Sequence, residues 1–246
     1  MIKLERIRKP TFLSNEKAAE LTRKFKETGD SVWNQEEIKK PLLQSSHEKC
    51  AYCECCVSEE SKYMEVEHFK YKNKYQDLVI EWLNLLPSCK RCNIAKGDHD
   101  VEDEPLINPY DINPREHLKL KLYKLKGVTE LGKSTIDAAD LNNSERLVIK
   151  RFDIGQQLQA SIETATERLE LWIKTKTTRR RNKLAGIVET ILLECQPSAI
   201  YSATTATIAL NDDDLLEVIE KMKNHNIWSH HLDILLKSAS TLTLST

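Results

Sequence analysis

An α+β fold, mostly helical, is predicted by three observations. Glycine is scarce, with six in 246 residues, and 30% of the residues are charged, a composition that suits helices with one solvated face. Apolar residues recur at three- and four-residue spacing through the second half of the chain, while period-two alternation is confined to short runs. Between these stretches stand two Cys-x-x-Cys pairs, Cys50/Cys53 and Cys89/Cys92. A pair so spaced turns two thiolates toward one tetrahedral metal, typically zinc, and a second pair closes the site. The chain then divides into an N-terminal arm with helices (1–48), a zinc-stapled module (49–126) and a helical C-terminal region (137–246).

Met1 to Phe12 reads as a basic arm with Arg6, Arg8 and Lys9, either solvated or in contact with a partner. Ser14 is placed to cap a helix running to about Glu27, with Ala18, Leu21 and Phe25 on one face and Gly29 as its stop. A second helix is expected from Gln35 to His47, broken or restarted at Pro41. Met64 to Phe69 alternates enough for a strand, Leu85-Leu86 is a short apolar run before Pro87, and Lys90 to Lys96 suits a helix. On such a strand Glu67 and His68 point to opposite sides. Closed four-thiolate coordination leaves no position for water, so chemistry must come from the polar residues between the pairs.

Those residues are Glu67-His68, Asn84 and Asn93, and they resemble the HNH, or ββα-metal, nuclease motif. From Lys9 to about Leu120 the chain looks like the HNH subunit of Septu-type anti-phage defence systems, relatives of which are encoded beside some retrons. The resemblance rests on Cys50-Ala-Tyr-Cys-Glu, Glu67-His-Phe, Trp82-x-Asn-Leu-Leu-x-x-Cys-x-x-Cys-Asn-x-x-Lys-Gly-Asp and Leu106-Ile-Asn-Pro. It implies metal-dependent hydrolysis of phosphodiester bonds in nucleic acid, with DNA favoured and structured RNA such as tRNA left open, and an ABC-type ATPase as partner. By the same resemblance His68 is the general base, Glu67 and Asn93 hold one Mg²⁺ or Mn²⁺, Asn84 fixes the hairpin loop, and Lys96 steadies a phosphate. This chain departs from the usual pattern by carrying Glu before the His and Asn at the third position. The alternative is a zinc-stapled adaptor or nucleic-acid-binding module without catalysis, which the intact His68 argues against.

The remaining segments leave readings open. Cys55 and Cys56 offer further thiols beside the first pair, although Cys50 and Cys53 match the spacing of the second. Lys70, Lys72 and Lys74 alternate with aromatic residues, as a phosphate-facing stretch or a solvated one. The acidic run 98–104 is a linker or a second cation site. A strand pair is expected between Leu118 and Leu125, and helix from about Asp137, with a long one from Asn143 or Ser144 to Ile173. Residues 174–183 carry six bases and no acid, so Arg179, Arg180 and Arg181 are candidates for phosphate or an acidic partner. Ile187–Cys195 and Asp212–Asn224 read as further helices, and Trp228, His230 and His231 as core or interface residues.

Charge and hydropathy set outer bounds. A formal net charge of -1 gives little general attraction to polyanions, so any nucleic-acid contact must use local basic patches or a partner. No apolar run approaches a membrane span, and Met1–Lys9 is too charged for a signal peptide's core. Seven cysteines, four in metal spacing, suit a reducing cytoplasm.

Overall fold

A computed structural model describes residues 1–59 and 63–246. The chain divides into two compact units, one of residues 1–118 and 125–142, the other of residues 119–124 and 143–246.

In the first unit, α1 (Asn15–Thr28) begins where the Ser14 hydroxyl accepts from the Lys17 amide, and it ends at Gly29, whose φ of 73° is one that a β-carbon would strain. Leu21 and Phe25 form its buried face. α2 (Glu36–Ser45) runs without interruption through Pro41 and buries Ile38 and Leu42 completely. The expected break is absent: proline removes the amide that would bond the Glu37 carbonyl, and Glu37 is exposed, so water can take that carbonyl. The N-terminal arm is not a solvated tail. Ile2 and Leu4 are buried, and Arg6 lies over the Tyr110 ring at 3.8 Å and donates to the carbonyls of Trp82, Leu83 and Leu85.

β1 (Met64–His68) and β2 (Leu85–Cys89) form an antiparallel pair in which Met64 faces Cys89 and His68 faces Leu85. The last residue of β2 caps α3 (Lys90–Lys96), where the Cys89 sulfur accepts from the Cys92 amide. Both α2 and α3 pack on this two-stranded sheet. Further on, β3 (Leu118–Lys121) and β4 (Lys124–Gly127) make a second two-stranded sheet, followed by α4 (Glu130–Ala138). α4 thus starts seven residues before the helical stretch expected at Asp137, because Thr129 accepts from the Gly132 amide as its cap.

The second unit is built on α5 (Ile149–Thr175), entered through a π-turn at Ser144–Val148 that Asn143 caps. Leu158, Ile162, Ala165, Leu169 and Trp172 recur at helical spacing and are buried. α6 (Thr178–Leu193) packs back on α5, and α7 (Ser202–Ala209), α8 (Asp213–Asn224) and α9 (His230–Leu242) complete the bundle. His230 and His231 are exposed, and His231 pairs with Glu189 at 3.0 Å, so the core reading of these two residues is corrected. Lys119 bridges to Ser245, joining the two separated parts of this unit. Among the described residues no helix is long and apolar enough to cross a membrane.

Candidate active site

The two Cys-x-x-Cys pairs come together. The sulfurs of Cys50, Cys53, Cys89 and Cys92 all lie within 4.8 Å of one another, and all four residues are buried. Cys53 and Cys89 are 3.8 Å apart at sulfur, roughly the edge of a tetrahedron with 2.3 Å zinc–sulfur bonds. Two backbone turns make this possible. Cys50 and Glu54 close the first, with Glu54 N–H donating to the Cys50 carbonyl, and the second is the start of α3. The Ala51 amide donates to the Pro87 carbonyl at 2.8 Å, which ties the first turn to β2. The set can hold one metal ion, and its four soft thiolates suit zinc. Cys56 stands apart against Ser58.

Polar residues gather at the end of β1. Strand alternation sends Glu65 and Glu67 toward α3: the Asn93 amide donates to Glu65 Oε2 at 2.6 Å, and the Lys96 ammonium lies 2.7 Å from Glu67 Oε1. That Glu67 oxygen is buried and close to the ammonium, yet no donor is aligned with it. Burial pushes the Glu67 carboxyl up to about 7, against the opposing pull of Lys96. Lys96 also donates to the His68 carbonyl at 3.0 Å and is itself buried. Its expected reach to a phosphate is therefore corrected: the ammonium holds the strand and its carboxylate from inside.

His68 lies on the other side of the strand, 5% exposed, with the Trp33 ring edge-on to it at 4.5 Å. Its Nε2 is 3.0 Å from the Val79 carbonyl. A carbonyl only accepts, so Nε2 carries the hydrogen and Nδ1 keeps its lone pair. Burial lowers the imidazole to about 4, the Val79 carbonyl opposing and Lys72 and Lys96 adding to the effect. His68 is accordingly neutral near pH 7. The loop that supplies Val79 is held by Asn84, whose side chain donates to the carbonyls of Lys70 and Leu78 and accepts from the Lys70 amide. A cleft of about 760 Å³ opens on these groups, with Trp33, Lys72, Glu65, Glu67, His68 and Asn93 in its wall.

The basic and acidic runs flanking this site largely meet each other. Lys70 pairs with Glu102, Lys74 with Asp100, and Tyr75 donates to Asp100 at 2.8 Å. The run 98–104 thus neutralises the lysine stretch, and Lys72, over the Trp33 ring at 5.8 Å, is left facing the cleft. Arg179, Arg180 and Arg181 lie in the second unit at the start of α6, and Arg180 donates to the Leu171 carbonyl at the end of α5. A concavity there of about 620 Å³ has Arg168, Arg179, Arg180 and Lys183 in its wall. Sequence reasoning missed Glu65, Trp33 and the Val79 carbonyl. Only the two-residue spacing of Glu65 and Glu67 on a strand signalled any of them.

The chain is 43% identical to the Septu protein PtuB of Bacillus thuringiensis, over 97% of its own length and 93% of that protein. It is 28% identical to the Septu protein PtuB of Bacillus mycoides (strain KBAB4), over 65% of its own length and 68% of that protein. No family model and no solved structure matches it.

Proposed function

The chain belongs to the Septu PtuB family of anti-phage defence proteins, and on that premise we propose that it is a metal-dependent HNH endonuclease. The observation that carries this reading is His68: a buried, neutral imidazole, fixed as one tautomer by the Val79 carbonyl, at a cleft that also holds Glu67 and Asn93. The order strand, loop with Asn84, strand, helix with Asn93 is the order the motif requires. Cys50, Cys53, Cys89 and Cys92 bind the structural zinc that clamps β2 and α3 to the first turn.

In this reading His68 Nδ1 takes a proton from water, and the water oxygen attacks phosphorus as the bond to the leaving oxygen breaks. Asn84 holds the loop, and through it the Val79 carbonyl that sets the imidazole. Glu67 and Asn93 fit a divalent cation, because Glu67 Oε1, though 2.7 Å from the Lys96 ammonium, has no aligned donor, and Glu65 takes the NH₂ end of the Asn93 amide, which leaves Oδ1 as the opposite end. Mg²⁺ or Mn²⁺ bound there supplies neutralisation of charge developing on the phosphate. Lys72 adds a positive charge at the same cleft, and Arg179, Arg180 and Arg181 offer a second phosphate contact. DNA is the favoured substrate, with structured RNA such as tRNA as its competitor, and an ABC-type ATPase is the partner that the resemblance to Septu-type and retron-associated HNH subunits implies.

The test is cleavage by the purified zinc-loaded chain, alone and with the ATPase encoded beside it, of DNA and total RNA in Mg²⁺ or Mn²⁺. Fragments are expected, and His68→Ala should lower the rate by about 10² to 10⁴ with zinc retained. Undiminished cleavage by that variant would overturn the assignment.

A further inference from the structure

The contact between Glu65 and Asn93 lies outside any role yet assigned. Asn93 Nδ2 is 2.6 Å from Glu65 Oε2, a short hydrogen bond to a charged acceptor. An ionised carboxylate only accepts, so it selects the NH₂ end of the amide and leaves Oδ1 as the opposite end. Amides otherwise turn over readily between their two similar ends. Glu65, half-buried, has no cationic partner among the described residues, in contrast to Glu67, which faces Lys96. Its charge is therefore spent on Asn93. Both residues sit on regular elements, β1 and α3, and both line the cleft of His68 and Glu67.

We infer that Glu65 is a positioning residue for the cation site, fixing and polarising the Asn93 amide so that Oδ1 is the end offered to the metal. The inference rests on the reading of Glu67 and Asn93 as cation ligands. It answers a weakness of that reading, since a neutral amide is a poor ligand unless its orientation is set and its oxygen made more negative. Partners behind a ligand that do this commonly account for 10- to 100-fold in metal affinity.

The experiment is Mn²⁺ titration of the full-length, zinc-loaded chain, by calorimetry and by loss of the free Mn²⁺ electron-spin signal, without substrate. Glu65→Ala should weaken binding by about 10- to 100-fold. Glu65→Gln, which keeps a carbonyl able to accept from Asn93 but loses the charge and gains an NH₂ end that can turn toward Oδ1, should restore only part of the affinity. In an Asn93→Ala background, Glu65→Ala should add little further loss, because the group it positions is gone. Zinc content and circular dichroism report whether each variant is folded. Wild-type affinity in Glu65→Ala overturns the inference, and so does a Glu65→Gln loss equal to that of Glu65→Ala, which would make Glu65 a direct ligand. If the wild-type chain binds no Mn²⁺ at all, the cation reading falls and takes this inference with it. Cleavage and the role of His68 are then judged separately.

Discussion

His68 and Glu67 are adjacent in sequence and opposite in electrostatics. The folded imidazole is lowered to about 4 from 6.5, so between those values the unfolded chain holds more protons, and stability drains away as pH falls through that window. The Glu67 carboxyl is raised to about 7 from 4.5, so the folded state holds more protons and stability drains away as pH rises from 4.5 through 7. His68→Gln should accordingly flatten the acid limb of a denaturation-midpoint profile between pH 6.5 and 4, by up to a few kcal/mol at its lower end. Equal slopes for wild type and variant would contradict a buried neutral imidazole. The pair itself was legible, because strand alternation and an acid-His dipeptide are local signals. Its surroundings were not. Trp33, Val79 and Lys96 reach His68 and Glu67 from three other segments, and Lys96 in particular looked like a free cation because nothing in a sequence reveals burial.

At the scale of elements, local chemistry predicted well wherever an element is decided locally. α1 has its serine cap, its apolar stripe and its terminal glycine within one short window, and the structure uses all three. Pro41 misled because the cost of a lost amide depends on whether water reaches the orphaned carbonyl. α7 was not foreseen, since its small residues are buried nearly all round and carry no stripe. The four-cysteine cluster was legible from spacing, and its energetic weight can be measured. Cys89→Ser removes a sulfur of the cluster while leaving a hydroxyl able to cap α3, so metal analysis should show zinc lost and thermal melting should show the first unit destabilised through the lost metal alone. A folded, zinc-free variant would refute the staple. Gly132→Ala tests a different joint, because a β-carbon there would stand 2.1 Å from the His117 carbonyl oxygen. Backbone must move, and a loss of about 1–3 kcal/mol or more is expected by chemical denaturation.

For the whole molecule, charge is the governing fact. The formal net charge is -1, and beside the cleft the lysine stretch is paired with the acidic run, while Lys72 faces the cleft and the α5–α6 corner gathers Arg168, Arg179, Arg180 and Lys183. On the proposed reading, a nuclease so balanced would depend on a partner for substrate, which is the job proposed for the ATPase. Co-expression followed by size-exclusion chromatography should give one complex, and removal of residues 143–246 should abolish it while the cysteine cluster keeps its zinc. A full-length chain that elutes free of the ATPase and is fully active alone would sink the partner proposal. Composition already pointed to local basic patches or a partner, but an average charge hides which cations are already matched.

The cysteine cluster also imposes an order of birth on the protein. Cys53 and Cys89 are 36 positions apart, so at ordinary elongation rates of about 5–20 residues per second the first pair waits about two to seven seconds for the second. During that interval a nascent chain has two thiolates, no β2 to pair with β1, and His68 without the wall that will bury it. The module closes only once α3 has been made, so an unfinished chain on the ribosome carries Glu67 and His68 before Asn93 and the second cysteine pair exist to complete their site.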